Sequence, residues 1–385
     1  MTRDICEAIE KQIMELGCYS PIEWLLQSGY LQYVEYERWR MGELPYLEDS
    51  ILCPTDKLLS QLNKGEQFAT QFKLVIQTQA LTSWQSASGL KISRVPKLSR
   101  LLARLWLRQK DVPQMDLFMD NPSVVTENQL INALNNRELA KAQSLLEQLD
   151  QQVPNHPQLS DYDSLIVYAQ QIQKPLAADF IREELECLKT TILPVAQKLL
   201  RQTTRDYVAP AWRRLAKALT DSASQDSDLH ASYAWQQMQN WGEVKNTIIN
   251  TTNYQQQPVL LARLAKAFWY LQQWDQCLLC WCHLFGLDAK FSAEKIEHQA
   301  DARLLLMWYD FKEQELSDED FPAWLLLQEP GLIHHIDNQF FENADQPLLE
   351  VLVQLLRAQG DDEMEWRRLL QKLNPTLLRI FLEAV

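Results

Sequence analysis

Glycine is the scarce residue in this chain, at 9 of 385 positions, where ~7% is usual for globular proteins. Tight hairpin turns, glycine-rich phosphate loops and strand bulges all draw on the positive φ that glycine supplies. A chain this poor in glycine, and rich in Leu, Gln, Glu and Ala, is predicted to be nearly all helix. With 46% hydrophobic and 23% charged residues it has ordinary globular composition, which excludes disorder and collagen-like repeats.

Residues 1–60 read as short helices separated by Gly17, Gly29 and Gly42. Ser20-Pro21-Ile22-Glu23 has the form of a capping box: the serine oxygen accepts an orphan N–H and Glu23 reaches back. The helix over 22–27 stops at Gly29, and a second follows over 31–41 with Tyr33, Tyr36 and Trp39 spaced at three. This pair fits a helix-turn-helix or, equally, a packed helical hairpin. One longer helix is predicted over 56–82, then a break over 83–96, then a helix over 97–109. On that last helix Lys97, Arg100, Arg104 and Arg108 share one face and the leucines and Trp106 the other. Residues 111–122, with two prolines and no helical period, mark a domain boundary.

From 126 onward helices come in pairs: 128–134 with 139–149, 162–171 with 176–191, 229–239 with 242–250, 257–272 with 274–286, 293–310 with 318–329, and 346–359 with 362–373. A short helix over 376–383 closes the chain. The clearest unit, 258–290, carries Leu264-Ala265, Phe268, Trp274, Cys277 and Trp281 at set intervals. The same register 33 residues earlier gives Trp235, Trp241, Val244 and Ile248, and the segment 128–154 gives Ala133, Leu139, Ala142, Leu146 and Pro154. Small side chains let two helices approach, and large ones fill the space between pairs. In these residues the chain resembles the tetratricopeptide-type α-solenoids over about 126–385. It departs from that family in lacking the glycine at the tight contact. The resemblance implies a curved surface that binds peptides or partner proteins, with no chemistry of its own.

Net charge is −14, which repels nucleic acid and anionic membranes over most of the surface. The excess is local: residues 310–365 hold fifteen acidic side chains against Lys312 and Arg357, whereas residues 89–110 hold seven basic ones and no acid. The acidic stretch favours a partner with a basic segment. The basic stripe is open to three readings: a solvated face, a contact with protein or with another copy of the chain, or nucleic acid. The acids at positions 4, 7 and 10 interrupt any signal-peptide core. The longest apolar run, 277–287, is too short for a membrane span. Seven cysteines in a chain this long read as reduced thiols of a cytoplasmic protein.

Clusters that could carry chemistry each have a plainer explanation. Cys277-x-x-Cys280-x-Cys282-His283 lacks convergence, because on a helix Cys282 points about 160° from Cys280; a zinc site needs four ligands aimed at one point. His334-His335 with Asp337, Glu329 and Glu342 reads as a polar turn. The carboxylates of 361–365 and of Asp318-Glu319-Asp320 suit helix starts. GxSxG, HExxH and phosphate-loop motifs are absent from the sequence. No catalytic residue, metal or cofactor is therefore expected. Of the thirteen tryptophans, Trp269 lies beside the register residue Phe268 and is the expected exposed anchor.

The sequence thus points to an all-α protein: a helical N-terminal region, 1–120, and a tetratricopeptide-like solenoid, 121–385. The expected function is a cytoplasmic, non-enzymatic scaffold for partner proteins, with self-association open. Trp269, Arg100, Arg104, Arg108, Asp318, Glu319 and Asp320 are its candidate binding residues. Two alternatives stand beside it. One is a regulator touching nucleic acid through 20–41 and 97–108, with Arg38, Trp39 and Arg40 near the groove. The other is an α/α-barrel enzyme with scattered carboxylates.

Overall fold

The computed structural model describes residues 5–79, 81–85, 88–108, 122–220, 229–299, 302–336, 338–341, 346–359 and 361–384. Most of the predicted 111–122 boundary lies outside them, as do Asp337 and Glu342. The fold is all-α, with twenty-one α-helices and one three-stranded sheet among the described residues. The chain divides into two compact units, Thr2–Asn240 and Trp241–Val385, where the sequence reading places its boundary near 120.

In the first unit α1 (Ile5–Leu16), α2 (Pro21–Gln27), α3 (Tyr33–Arg40) and α4 (Thr55–Gln71) are punctuated as expected. Gly17, Gly29 and Gly42 take φ of 75°, 73° and 82°, a backbone that side chains resist. The Glu23 N–H reaches the Ser20 hydroxyl at 3.4 Å, but the expected return bond of a capping box does not form: the Ser20 N–H donates to the Gln12 side chain at 2.9 Å, and the Glu23 carboxylate accepts from Gln27 and Arg205. Gly65 lets α4 lie against α1: a Cβ there would stand 2.7 Å from the Ile5 Cδ1.

Two predicted helices are shorter than expected. The 56–82 helix ends at Gln71, where Lys73 turns at φ 55°, and Val75–Thr78 becomes a strand, β2. The 97–109 helix ends at Leu102 (α5, Pro96–Leu102), and Arg104–Leu107 becomes another strand, β3. With β1 (Cys18–Tyr19) these form an antiparallel sheet in the order β1-β3-β2. Leu105 and Trp106 are both buried. A central strand covered on both sides reads as an unbroken apolar run, which periodicity does not separate from a buried helix.

Helices α6 (Pro122–Asn135), α7 (Leu139–Gln152), α8 (Leu159–Gln171), α9 (Ile181–Cys187), α10 (Leu193–Leu200), α11 (Thr204–Thr220) and α12 (Ala231–Gln237) complete the unit. Between α9 and α10 the helical path continues through a π turn, Leu188–Ile192, just before Pro194. Proline has no N–H to give the preceding turn, and the wider π turn absorbs that loss without breaking the helix.

The second unit holds α13 (Trp241–Ile249), α14 (Pro258–Tyr270), α15 (Trp274–Leu287), α16 (Ala289–Gln299), α17 (Ala302–Lys312), α18 (Phe321–Gln328), α19 (Pro347–Arg357), α20 (Asp361–Leu373) and α21 (Pro375–Ala384). Each helix packs on the next in sequence. The predicted 293–310 helix is two helices, α16 and α17. Trp241 stacks flat on Tyr270 at 4.1 Å. Helix α18 touches α15, α17, α19 and α21, and its residues Phe321 to Leu327 are all buried. A helix covered all round is apolar all round. Phe285, Trp308, Phe311, Phe321 and Trp324 form its aromatic core, with ring centroids 4.8 to 6.0 Å apart.

Candidate functional site

The residues predicted to bind a partner are not brought together. Trp269 is 8% exposed and meets Tyr270 edge-on at 4.7 Å. It is no exposed anchor, because α14 is buried on nearly every side. The basic stripe breaks where its helix ends. Arg104 pairs with Glu66, and Arg108 donates to the Ile13 carbonyl at 2.7 Å. Arg100 and Lys97 remain exposed on α5. Asp318, Glu319 and Asp320 form a short 3₁₀ turn entering α18. Asp320 closes a capping box on Ser317 and accepts from Asn374 at 3.1 Å, and Asp318 pairs with Lys312 at 2.7 Å.

The groups expected near a nucleic-acid groove are engaged elsewhere. Trp39 is wholly buried and donates to the Lys91 carbonyl at 2.9 Å. Arg38 is held between Glu35 and Glu43. Arg40 lies inside, with its guanidinium 4.6 Å from the Trp84 ring and 3.8 Å from Asp206.

Arg40 belongs to a buried network in the first unit. Tyr33 donates to Asp206 at 3.0 Å and Tyr36 at 3.4 Å. Arg205 takes both oxygens of Glu23, and Glu37 receives Arg137 and Arg213. Burial pushes the Asp206 carboxyl up, against the pull of Arg40 and Arg205. Burial works against the Arg205 charge too, but Glu23 beside it outweighs this and holds the guanidinium protonated. A cavity of about 110 Å³ opens among Cys18, Glu23, Tyr36, Arg40, Arg205 and Asp206. Its two arginines and two carboxylates are already engaged with one another, Arg205 with Glu23 and Arg40 with Asp206. The network braces α2 and α3 against α11.

The cysteine cluster is equally closed. Cys277, Cys280 and Cys282 are buried. Burial pushes the Cys282 thiol up to about 12 and the Cys280 thiol higher. Among the described residues no group of three His, Cys, Asp or Glu side chains could hold a metal, and no helix is long and apolar enough to cross a membrane. His335 lies 3.5 Å from Asp275.

One open apolar and acidic surface among the described residues is on α17. Leu304, Trp308 and Phe311 face the core. The opposite stripe is Leu306, Tyr309, Asp310 and Glu313, at steps of three, one and three, which places them on one face. Leu306 is 63% and Tyr309 54% exposed, and both acids are exposed. The nearby cations are taken: Arg303 pairs with Glu329 and lies 4.4 Å from the Trp274 ring, and Lys312 pairs with Asp318. Asp310, Glu313, Glu315 and Glu319 have no basic partner among the described residues. The sequence did carry a signal for this face: residues 302–311 are apolar beyond one helical stripe, so one of the two stripes must be left to water or to a partner. Compared with known protein families, curated proteins and solved structures, the chain matches none.

Proposed function

We propose that the chain is a non-enzymatic scaffold that holds a partner protein, and that the α17 face is a docking point for a basic amphipathic segment of that partner. One observation carries the reading: two large apolar side chains stand exposed one turn apart, beside carboxylates that no cation among the described residues pairs with. An apolar residue on the partner would cover Leu306 and Tyr309, while lysines or arginines would meet Asp310 and Glu313. The helical pairs are consistent with a tetratricopeptide-like stack: the small and large register residues Ala133, Ala142, Val244, Ala265, Cys277 and Trp281 are all buried.

Co-purification from the source cell, followed by mass spectrometry, identifies the partner. Its binding to the chain carrying Leu306→Ser and Tyr309→Ser is expected to fall at least tenfold, since each buried apolar side chain contributes roughly 1.5–3 kcal/mol. Asp310→Asn with Glu313→Gln should flatten the salt dependence. Unchanged affinity in the Ser pair at every salt concentration removes α17 as the docking face.

A further inference from the structure

The free edge of β2 is a second, independent surface. We propose that it receives an extended, acid-flanked segment of a partner protein as a fourth strand of the sheet.

The register fixes which groups are available. Val75 pairs with Leu107, Ile76 with Trp106, Gln77 with Leu105 and Thr78 with Arg104. The Gln79 N–H donates to the Ala103 carbonyl at 2.9 Å, one step further along the same register. Hydrogen-bonded and non-bonded pairs alternate in an antiparallel ladder. Gln77 and Val75 therefore bond to β3, and the N–H and C=O of Ile76 and Thr78 point away from it. None of those four groups has a backbone partner among the described residues.

Edges of this kind are normally blunted by lysine, proline, a bulge or a covering loop. Here the strand reads Val-Ile-Gln-Thr, with neither charge nor proline, and all four residues are exposed. Phe72, Val75 and Ile76 add exposed apolar surface at its start. A strand of good β-formers with both faces wet gains little from its own fold, and its unpaired groups match only another extended backbone.

Charge selects the flanks of the incoming segment. Residues 67–82 contain Lys73 and no carboxylate. Lys73 lies two residues before β2. Lys97 and Arg100 are on α5, which runs into the Ala103 carbonyl that meets Gln79 just past β2. All three cations are exposed and have no carboxylate within ion-pair distance among the described residues. Cations at both ends favour an acid at each end of the docked strand. A second copy of β2 would instead bring Lys73 toward the same cations, and a four-residue strand pair alone is far below the area of a stable dimer.

The test uses the full chain and a fluorescent nine-residue peptide of alternating valine and threonine with a glutamate at each end. Saturable binding is expected. Ile76→Pro should weaken it at least tenfold without lowering the melting temperature, because the lost N–H faces outward and proline is tolerated on such an edge. Lys73→Glu with Arg100→Glu should weaken it several-fold and flatten its salt dependence. Residue-resolved hydrogen exchange on the unmutated chain gives a second measure: the peptide should slow the amides of Ile76 and Thr78 and leave that of Gln77 unchanged. Absence of saturable binding, equal binding by the proline variant, or binding with no protection at Ile76 and Thr78 overturns the proposal. So does dimerisation of the chain alone that Ile76→Pro abolishes, which would place a second copy on this edge.

Discussion

Arg205 grips both carboxylate oxygens of Glu23, 182 residues earlier in the chain. The pair joins the N-terminal helices to α11 and makes residues on either side of position 120 parts of one unit. Its side chains are 22% and 17% exposed, so solvent weakens the attraction without removing it. Removing one partner leaves the other partly buried and alone. Glu23→Gln and Arg205→Met should each cost about 2 kcal/mol in urea denaturation, and the double variant clearly less than their sum. Additive losses would mean that the two groups do not support each other.

Asp206 sets a pH dependence of known sign. Its folded carboxyl binds a proton more tightly than the ordinary value of 3.8, first because it is buried, although Arg40, Arg205 and the Tyr33 hydroxyl pull the other way. A raised folded value means that the native chain takes up the proton before the unfolded chain does. The resulting stability is complete below the unfolded value and is lost as pH rises through the folded one. Asp206→Asn does not titrate at this position. The melting temperature of the native chain, minus that of the Asn variant, should therefore grow as pH falls toward 3.8. A difference that shrinks over that range would show a lowered carboxyl instead.

How far the sequence speaks for the structure depends on the range of the forces. Helix starts and stops set by local rules are legible: Ser20 before Pro21, glycines at positive φ, Pro347 and Pro375 opening α19 and α21. The central strand β3 is not, because Arg-Leu-Trp-Leu between two partners has the same apolar run as a helix core. Glu23 reads locally as a cap, and its larger role depends on an arginine far along the chain. Trp269 reads as outward because it sits off the repeat register, but Leu260, Leu264, Phe268 and Tyr270 are buried around it, and the only outward strip of α14 is the narrow one of Val259, Ala262 and Lys266. The α17 stripe was hidden for the opposite reason: Leu306 and Tyr309 look like core residues until Leu304, Trp308 and Phe311 are seen to fill the core.

The thiols offer a chemical check on this packing. The thiolate, not the thiol, reacts with iodoacetamide. Cys282, pushed up to about 12 by burial, is thiolate only about once in ten thousand molecules at pH 8. Cys18 is pushed up to about 12 by burial and then by Glu23, and Cys280 higher still. Cys187 is exposed, and its thiol is raised by its partial burial and by Glu184. Alkylation of the native chain at pH 8, read by peptide mass spectrometry, should mark Cys187 slowly and leave Cys18, Cys280 and Cys282 unmodified. In urea all of them should react at the rate of a simple thiol. Rapid native labelling of Cys280 or Cys282 would mean that α15 opens to solvent, and the close packing of α14, α15 and α18 described above would have to be abandoned.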